Sequence, residues 1–352
     1  MINGISLFSN VGIGETYFEE CGINICIANE LISERAKFYQ HLYPNKKIIC
    51  GNFTDTKVQE QLVQEYKKFN CDFLIATPPC QGMSSAGKRD SNDKRNLLII
   101  DTILFIKKTK PKYILIENVP QILKTSIYYN NKEILIPDFI KEELQPLGYN
   151  IQYKVLDSAD YNTPQYRKRA IFLITKEKKL WDFPFPQNHI TVAQAIGDLP
   201  SIEAGDESNI QNHFSKPHAK RQIEWMKHTP TGKTALDNEV HFPSKNGRKI
   251  KGYRTTYKRI DWHKPAPTIT MANGSISSQN NVHPGKKLED GTYSDARVLT
   301  LLELFRLTGL PDNWNIPNWA SENLVRKVIG ESFPPRFSQA IVSMLKIKNH
   351  EK

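Results

Sequence analysis

Cysteine is scarce in this chain of 352 residues: Cys21, Cys26, Cys50, Cys71 and Cys80 are odd in number and scattered. None stands in Cys-x-x-Cys spacing, so the sequence indicates neither a disulfide framework nor a zinc site, and a reducing compartment fits. Long apolar runs are missing as well. No uninterrupted stretch approaches the roughly 18 residues of a membrane span. The N-terminus enters a strand-like run at Ile5-Ser6-Leu7-Phe8 without a basic segment followed by an apolar one, so no secretory leader is indicated. Internal repeats and low-complexity tracts are absent, which argues against a solenoid. These absences point to a soluble, cytoplasmic protein with no membrane partner and no bound metal.

Acidic residues are in deficit, with 37 Asp and Glu against 48 Lys and Arg, a formal net charge of +11. A basic excess favours a polyanionic partner, because neutralised phosphates release condensed counterions. The excess is localised: from Gln211 to Pro265 there are 13 basic and four acidic residues, a net +9. Such a length supports one large domain or two moderate ones with a sizeable core. From Ile5 to about Lys176, apolar and β-branched runs alternate with helical stretches. The runs are Ile5 to Phe8, Ile23 to Ala28, Lys47 to Cys50, Phe73 to Ala76, Tyr113 to Ile116, Ile151 to Leu156 and Ala170 to Ile174. That alternation predicts βαβ units and a mostly parallel sheet with helices on both faces. After Trp181-Asp182-Phe183-Pro184-Phe185-Pro186 the chain turns polar, basic and rich in turn residues as far as about Ala296, which predicts a second, loop-rich domain. Amphipathic helices are expected at Leu299 to Leu307 and Ser338 to Ile347, the second long enough to pack back on the first domain.

Chemistry concentrates where the predicted strands end. Pro78-Pro79-Cys80-Gln81 follows Phe73 to Ala76, placing a thiol on a proline-stiffened turn where parallel α/β sheets carry their sites. An isolated cysteine is usually a small hydrophobe, but prolines, Gln81 and Ser84 are odd company for core packing. The strand Tyr113 to Ile116 ends in Glu117-Asn118-Val119-Pro120, so an acid can face the same pocket as the thiol. Phe8 to Gly14 forms a small-residue turn that lets backbone amides approach a ligand. Glu30 ends the second strand, where an acid commonly accepts from a ribose diol. Asn52-Phe53 ends the third, giving an amide and a ring suited to an adenine. Together they describe an adenosyl-ligand crevice. Gln165-Tyr166-Arg167-Lys168-Arg169 precedes the last strand, in which Arg167 and Arg169 are expected to share one face.

The order of Phe8 to Gly14, Glu30, Pro78-Pro79-Cys80-Gln81, Glu117-Asn118-Val119, Gln165-x-Arg167-x-Arg169, Arg297-x-Leu299-Thr300 and Gly330 to Pro335 resembles the bacterial DNA (cytosine-5)-methyltransferases of restriction-modification systems. The match spans nearly the whole chain. Lys264-Pro265-Ala266-Pro267-Thr268-Ile269-Thr270 resembles the block that organises the target-recognition domain in that family.

The resemblance implies a Rossmann-like S-adenosylmethionine-dependent sheet with a smaller loop-rich target-recognition domain. Residues 1–186 plus 315–352 would form the catalytic and cofactor-binding part, 187–296 the recognition part, and 297–314 a connecting helix. Cytosine carbon 5 is too weak a nucleophile to take a methyl group from a sulfonium until a thiolate adds at carbon 6. Cys80 is the implied nucleophile, Glu117 the acid at ring nitrogen 3, Arg169 the holder of the base carbonyl oxygen, and Arg167 a positioning residue. Such chemistry requires the base to leave the duplex. S-adenosylmethionine is the implied cofactor, held by Phe8, Asn10, Gly12, Glu30, Asn52, Phe53, Pro79, Asn96, Leu97 and Ser332. Double-stranded DNA is the implied partner, with Gln81, Ser84, Ser85, Lys88, Arg248, Lys249 and Arg254 as its contacts. A monomer working beside a separately acting restriction endonuclease is expected.

Three positions depart from the family pattern: Asn10 for a glycine, Asn52 for an aspartate, and Glu331 for an asparagine. The rival classes are a nicotinamide-dependent oxidoreductase, which lacks a full Gly-x-Gly-x-x-Gly here, and a catalytically silent DNA-binding module, which leaves Cys80, Glu117 and Arg169 without a purpose. A tRNA cytosine-5 methyltransferase shares the chemistry and differs in its substrate.

Overall fold

The computed structural model describes residues 1–79, 97–178 and 181–345. They form two compact units. The first comprises residues 1–157, 168–185 and the C-terminal stretch from Phe337; the second comprises 158–167 and 186–336. These boundaries differ from the functional division expected above, since residues 158–167 and 315–336 pack within the second unit. Tertiary packing outweighs sequence adjacency there.

The first unit is built on a seven-stranded sheet. Its strands are β1 (Ile2–Leu7), β2 (Ile23–Glu30), β3 (Lys47–Cys50), β4 (Phe73–Ala76), β5 (Tyr113–Asn118), β8 (Asn150–Asp157) and β9 (Lys168–Thr175), in the order β3-β2-β1-β4-β5-β9-β8. The first five run parallel, whereas β9 is antiparallel to both β5 and β8. The α/β fold with a mostly parallel sheet is therefore as expected. Ile5, Leu7, Ile27, Leu74, Ile114, Ile116, Phe172 and Ile174 belong to one buried cluster. Each such side chain taken from water contributes roughly 1.5–3 kcal/mol.

Four helices flank these strands in the chain: α1 (Ser33–Leu42), α2 (Thr56–Lys68), α3 (Leu98–Thr109) and α4 (Ile136–Leu144). The carboxylate of Asp55 accepts from the Lys57 amide at 2.8 Å and starts α2. An additional hairpin, β6 (Ser126–Tyr129) with β7 (Lys132–Leu135), has no counterpart among the apolar runs of the sequence. Its signal was present, because Asn130 and Asn131 both take positive φ, 47° and 62°, as a two-residue type I′ turn requires.

The last helix, α9 (Pro335–Ser343), returns to the first unit as expected. Ser338 Oγ donates to the Gly14 carbonyl at 2.5 Å, and Trp181 Nε1 donates to the Ile341 carbonyl at 3.0 Å.

The second unit is sparse in regular structure. It holds α5 (Val192–Ile196), α6 (Lys220–Lys227), the two-residue strands β10 (Ser244–Lys245) and β11 (Arg248–Lys249), α7 (Leu301–Thr308) and α8 (Glu322–Glu331). Buried polar groups do much of the organising. Arg297 pairs with both carboxylate oxygens of Glu303 at 2.9 Å and with Asp295 at 2.8 Å. Thr300 and Glu303 close a capping box at the start of α7. Arg259 is fully buried and donates to the carbonyls of Met226, His283, Ser294 and Asp295. Its charge is therefore internal, which removes one base from the phosphate-facing set inferred from composition.

No helix among the described residues is long and apolar enough to cross a membrane.

Candidate active site

The turn after β1 has the backbone that the sequence implied. Phe8, Asn10 and Gly12 take φ of 60°, 52° and 78°. Asparagine enters the left-handed region more readily than most residues, so Asn10 sustains a turn in which the family pattern has glycine. Gly12 cannot be replaced so easily, because a Cβ there would lie 2.5 Å from Tyr43 and 2.8 Å from Tyr39.

Glu30 sits at the end of β2 and is 6% exposed. Its two carboxylate oxygens accept from the Asn10 and Ile32 amides, each at 2.9 Å. Burial pushes its carboxyl above the ordinary value, while the Ile32 amide and the charge of Arg35 pull the other way. A carboxylate has about four lone-pair positions, so acceptor capacity remains for a ligand hydroxyl.

Two expected adenine contacts are engaged within the protein. Asn52 Oδ1 accepts from the Thr54 amide at 3.1 Å. Phe53 is 2% exposed and packs edge-on to Phe8, ring centres 5.1 Å apart, and against Phe105 at 5.6 Å.

A buried acid in the same turn escaped the sequence reading. Glu15 accepts from the Tyr39 hydroxyl at 2.9 Å, and burial pushes its carboxyl up to about 7 against the opposing hydrogen bonds from Ser6 and Tyr39. The only signal was an acid directly after the small apolar stretch Val11 to Gly14.

The acid and the arginine expected to share a role, Glu117 and Arg169, meet across β5 and β9. Glu117 pairs with Ile171 in register, so Arg169, two residues away on the same strand, is its diagonal neighbour on one face. Arg169 Nε lies 2.6 Å from Glu117 Oε1. Glu117 itself is 8% exposed. Beside it, Asn118 donates from Nδ2 to the Pro78 carbonyl at 3.0 Å and accepts from the Val119 amide at 2.9 Å. Thr77 donates to the Phe8 carbonyl at 3.0 Å. The ends of β1, β4 and β5 are thus tied together where Pro79, half-buried, leads to Cys80. Cys80, Gln81, Ser84, Ser85, Lys88 and Asn96 lie outside the described residues, and Leu97 is exposed immediately before α3.

Arg167 does not share a strand face with Arg169. β9 begins at Lys168, so the alternation starts after Arg167, whose buried guanidinium donates to the carbonyls of Ile269 at 2.9 Å and Gly330 at 3.0 Å. Those are bonds that organise the second unit. Gln165 serves the same end, accepting from the Ile269 amide at 3.1 Å and donating to the Leu307 carbonyl at 3.3 Å. The block from Lys264 to Thr270 is therefore laced to Pro164–Tyr166, with Tyr166 N–H on the Ala266 carbonyl at 2.8 Å.

Gly330 is packed so tightly that a Cβ would come within 2.3 Å of the Thr270 backbone. Next to it, Ser332 is buried and donates to the Ile329 carbonyl at 2.7 Å, and Glu331 is half-buried.

Among the expected DNA contacts, Arg248 is exposed on β11. Lys249 donates to the Asn238 carbonyl at 3.0 Å and lies over Phe242, and Arg254 pairs with Asp237 at 2.7 Å while its side chain stays 78% exposed.

The chain's likenesses agree with this geometry. Residues 2–347 match the family model for C-5 cytosine-specific DNA methylase. The chain is 54% identical over 340 residues to the Type II methyltransferase M1.HgaI of Avibacterium volantium, covering 95% of each sequence. It is 28% identical to Type II methyltransferase M1.HphI of Haemophilus parahaemolyticus, over 99% of this chain and 87% of the relative. Two solved structures share the fold. One is a prophage-encoded protein of E. coli assigned as a DNA modification methyltransferase, with a TM-score of 0.72 at 20% identity over 98% and 99% of the two chains. The other is a variant of Spodoptera frugiperda DNMT2, with a TM-score of 0.63 at 16% identity over 98% and 100%.

Proposed function

We propose, from the premise that this chain belongs to the C-5 cytosine-specific DNA methylases and is a DNA (cytosine-5)-methyltransferase, that it methylates carbon 5 of a flipped-out cytosine through a covalent adduct on Cys80. The observation that carries this is the Glu117–Arg169 pair beside the Pro78 carbonyl, which Asn118 holds two residues before Cys80.

A base inside a duplex cannot offer its ring face to a thiolate, so the target cytosine leaves the stack. The Cys80 thiolate adds to carbon 6, and the electrons move toward nitrogen 3 and carbon 5. Glu117 delivers a proton at nitrogen 3 and so offsets the density pushed into the ring. Arg169, its guanidinium already oriented by Glu117, holds the base carbonyl oxygen. S-adenosylmethionine supplies the electrophilic methyl group when bound. Loss of the carbon 5 proton to a base, with return of the nitrogen 3 proton to Glu117, then expels the thiolate and restores aromaticity.

Glu30 would hold the ribose hydroxyls of that cofactor, and the turn from Phe8 to Gly12 its neighbouring atoms; Asn52, Phe53, Pro79, Asn96, Leu97 and Ser332 complete the proposed set. Arg167 acts as a positioning residue through the Ile269 and Gly330 carbonyls. The basic hairpin β10–β11 is assigned phosphate contacts, and other side chains within residues 187–296 the reading of base edges. Its relatives are Type II methyltransferases, and the same role is proposed here: a cytoplasmic monomer that protects duplex DNA from a separately acting endonuclease. Nicotinamide chemistry is set aside, because the family match accounts for the crevice without it.

A duplex library containing 5-fluorocytosine tests the mechanism, since fluorine cannot depart as a proton does. Wild-type protein should form a denaturation-resistant DNA adduct only when the methyl donor is present, and Cys80→Ser should bind duplex without forming one. An adduct that persists in Cys80→Ser would sink the assignment.

A further inference from the structure

One group of metal-ligating side chains stands out among the described residues of the second unit. Glu224 and His228 are four residues apart at the C-terminal end of α6, on one face and one turn apart. His241 comes from the loop that leads to the β10–β11 hairpin. His228 Nε2 lies 3.1 Å, and His241 Nδ1 3.4 Å, from the same oxygen, Oε1 of Glu224. The three ligand atoms lie within 4.8 Å of one another. The two imidazoles stack with ring centres 3.8 Å apart and planes 10° apart.

The loop is held in place independently of these contacts. Asn238 Nδ2 donates to the His241 carbonyl at 2.7 Å and to the Trp225 carbonyl on α6 at 3.2 Å. The three side chains are between 35% and 51% exposed, so an ion can reach them from solvent. Of the charges nearby, Lys227 opposes a cation. Asp290, whose carboxyl is held below its ordinary value by its bonds to Thr292 and also by Lys227 and His228, favours one.

We propose that Glu224, His228 and His241 form a binding site for a divalent transition cation, with Zn²⁺ the best match. Two imidazole nitrogens and one carboxylate oxygen are a borderline-soft donor set that leaves a tetrahedral ion one position for water. At ligand distances of about 2.0–2.2 Å the ion draws the donor atoms to one point, which opens the parallel stack. Both rings must present unprotonated nitrogens to the ion. The ion would clasp the end of α6 to the loop before the basic hairpin and so fix where Lys245, Arg248 and Lys249 point within this unit. Cysteine spacing gave no hint of it, because the ligands are two histidines and a glutamate drawn from a helix end and a separate loop. Cation binding does not depend on the methylation mechanism.

The test is calorimetric titration of the full chain with Zn²⁺, together with the visible absorption of Co²⁺ as a probe of nitrogen ligation. One equivalent should bind. His228→Asn and His241→Asn should each lower the affinity about tenfold or more, since even partners that only orient metal ligands are worth about 10–100-fold. Circular dichroism should find the ion-free variants folded as the wild type is, as expected for exposed side chains. Stoichiometric binding that survives both substitutions would overturn the proposal, as would the absence of stoichiometric binding to the wild type. A further readout is the affinity for duplex DNA, which a chelator should reduce in the wild type and leave unaltered in His241→Asn; an equal effect on both would remove the clasp from the explanation.

Discussion

Glu117→Gln separates the chemical role of that side chain from its structural one. The amide has nearly the same shape, keeps an oxygen toward Arg169, and removes only the acidic group that can pass a proton. In the wild type, Arg169 Nε meets Glu117 Oε1 at 2.6 Å, and the guanidinium has a second partner in the Lys168 carbonyl at 2.8 Å. Both side chains are largely covered, at 14% and 11% exposure. Trading an ion pair for a hydrogen bond from the same guanidinium to a neutral amide oxygen costs about 1–2 kcal/mol of stability, and the Lys168 carbonyl keeps the arginine from being stranded. Loss of a general acid, by contrast, slows the chemical step about 10²–10⁴-fold, which is about 3–5 kcal/mol on the barrier. The kinetic loss should therefore exceed the stability loss. Single-turnover transfer of a labelled methyl group to duplex DNA, with protein and cofactor saturating, reads the first quantity, and urea denaturation of the same preparation reads the second. A variant that unfolds at lower urea yet methylates at the wild-type single-turnover rate would refute the reasoning and reduce Glu117 to a structural strand end.

Three further outcomes are expected. Phe53→Ala should destabilise the protein by about 3–5 kcal/mol, the range for a large aromatic removed from a packed core, because its ring packs against Phe8 and Phe105; denaturation unchanged from wild type would place the ring outside the core. Replacing Lys245, Arg248 and Lys249 by alanine should weaken binding to every duplex sequence and flatten the salt dependence by about 0.9 for each phosphate that is no longer neutralised, with the methylated sequence unchanged; filter binding across a salt series checks it. Acid should weaken the second unit. His283 is buried, and burial together with Arg297 lowers it from 6.5 to about 4. For Glu303, burial acts upward, but Arg297 and His283 overcome it and hold the carboxyl at about 2 instead of 4.5. Both groups bind protons more readily in the unfolded chain, so stability is complete above about 6.5 and falls as pH drops, first through His283 and below 4.5 through Glu303 as well. Between pH 6.5 and 5 the loss should reach about 2 kcal/mol, read by denaturation at the two pH values; greater stability at pH 5 would contradict the assignment.

Much of the first unit was legible in the sequence because its inner strands are buried on both faces and read as continuous apolar runs. Lys47–Cys50 and Phe73–Ala76 were delimited without error, and Tyr113 to Ile116 fell two residues short only because Glu117 and Asn118 are polar members of β5. The positions of Glu30 and Glu117 at the ends of β2 and β5 were legible in the same way, and the carboxyl edge of a parallel sheet is where chemistry is usually sought. The charge of the segment from Gln211 to Pro265 was likewise countable, and so was the turn-rich character of the second unit.

Tertiary structure decided what spacing along the chain does not encode. Arg167 and Arg169, two residues apart, serve different units because the strand begins between them at Lys168. Arg259 reads as one more surface base until packing encloses it among four carbonyls, which solvate its charge in place of water. Gly330 is fixed by the Thr270 backbone, 60 residues earlier in the chain, and the meeting of Glu224, His228 and His241 depends on where a loop lies against the end of α6. Sequence periodicity determines which residues an element buries. Only the folded chain determines which distant groups close around them, because that depends on three-dimensional packing and on the pairing of every buried polar atom.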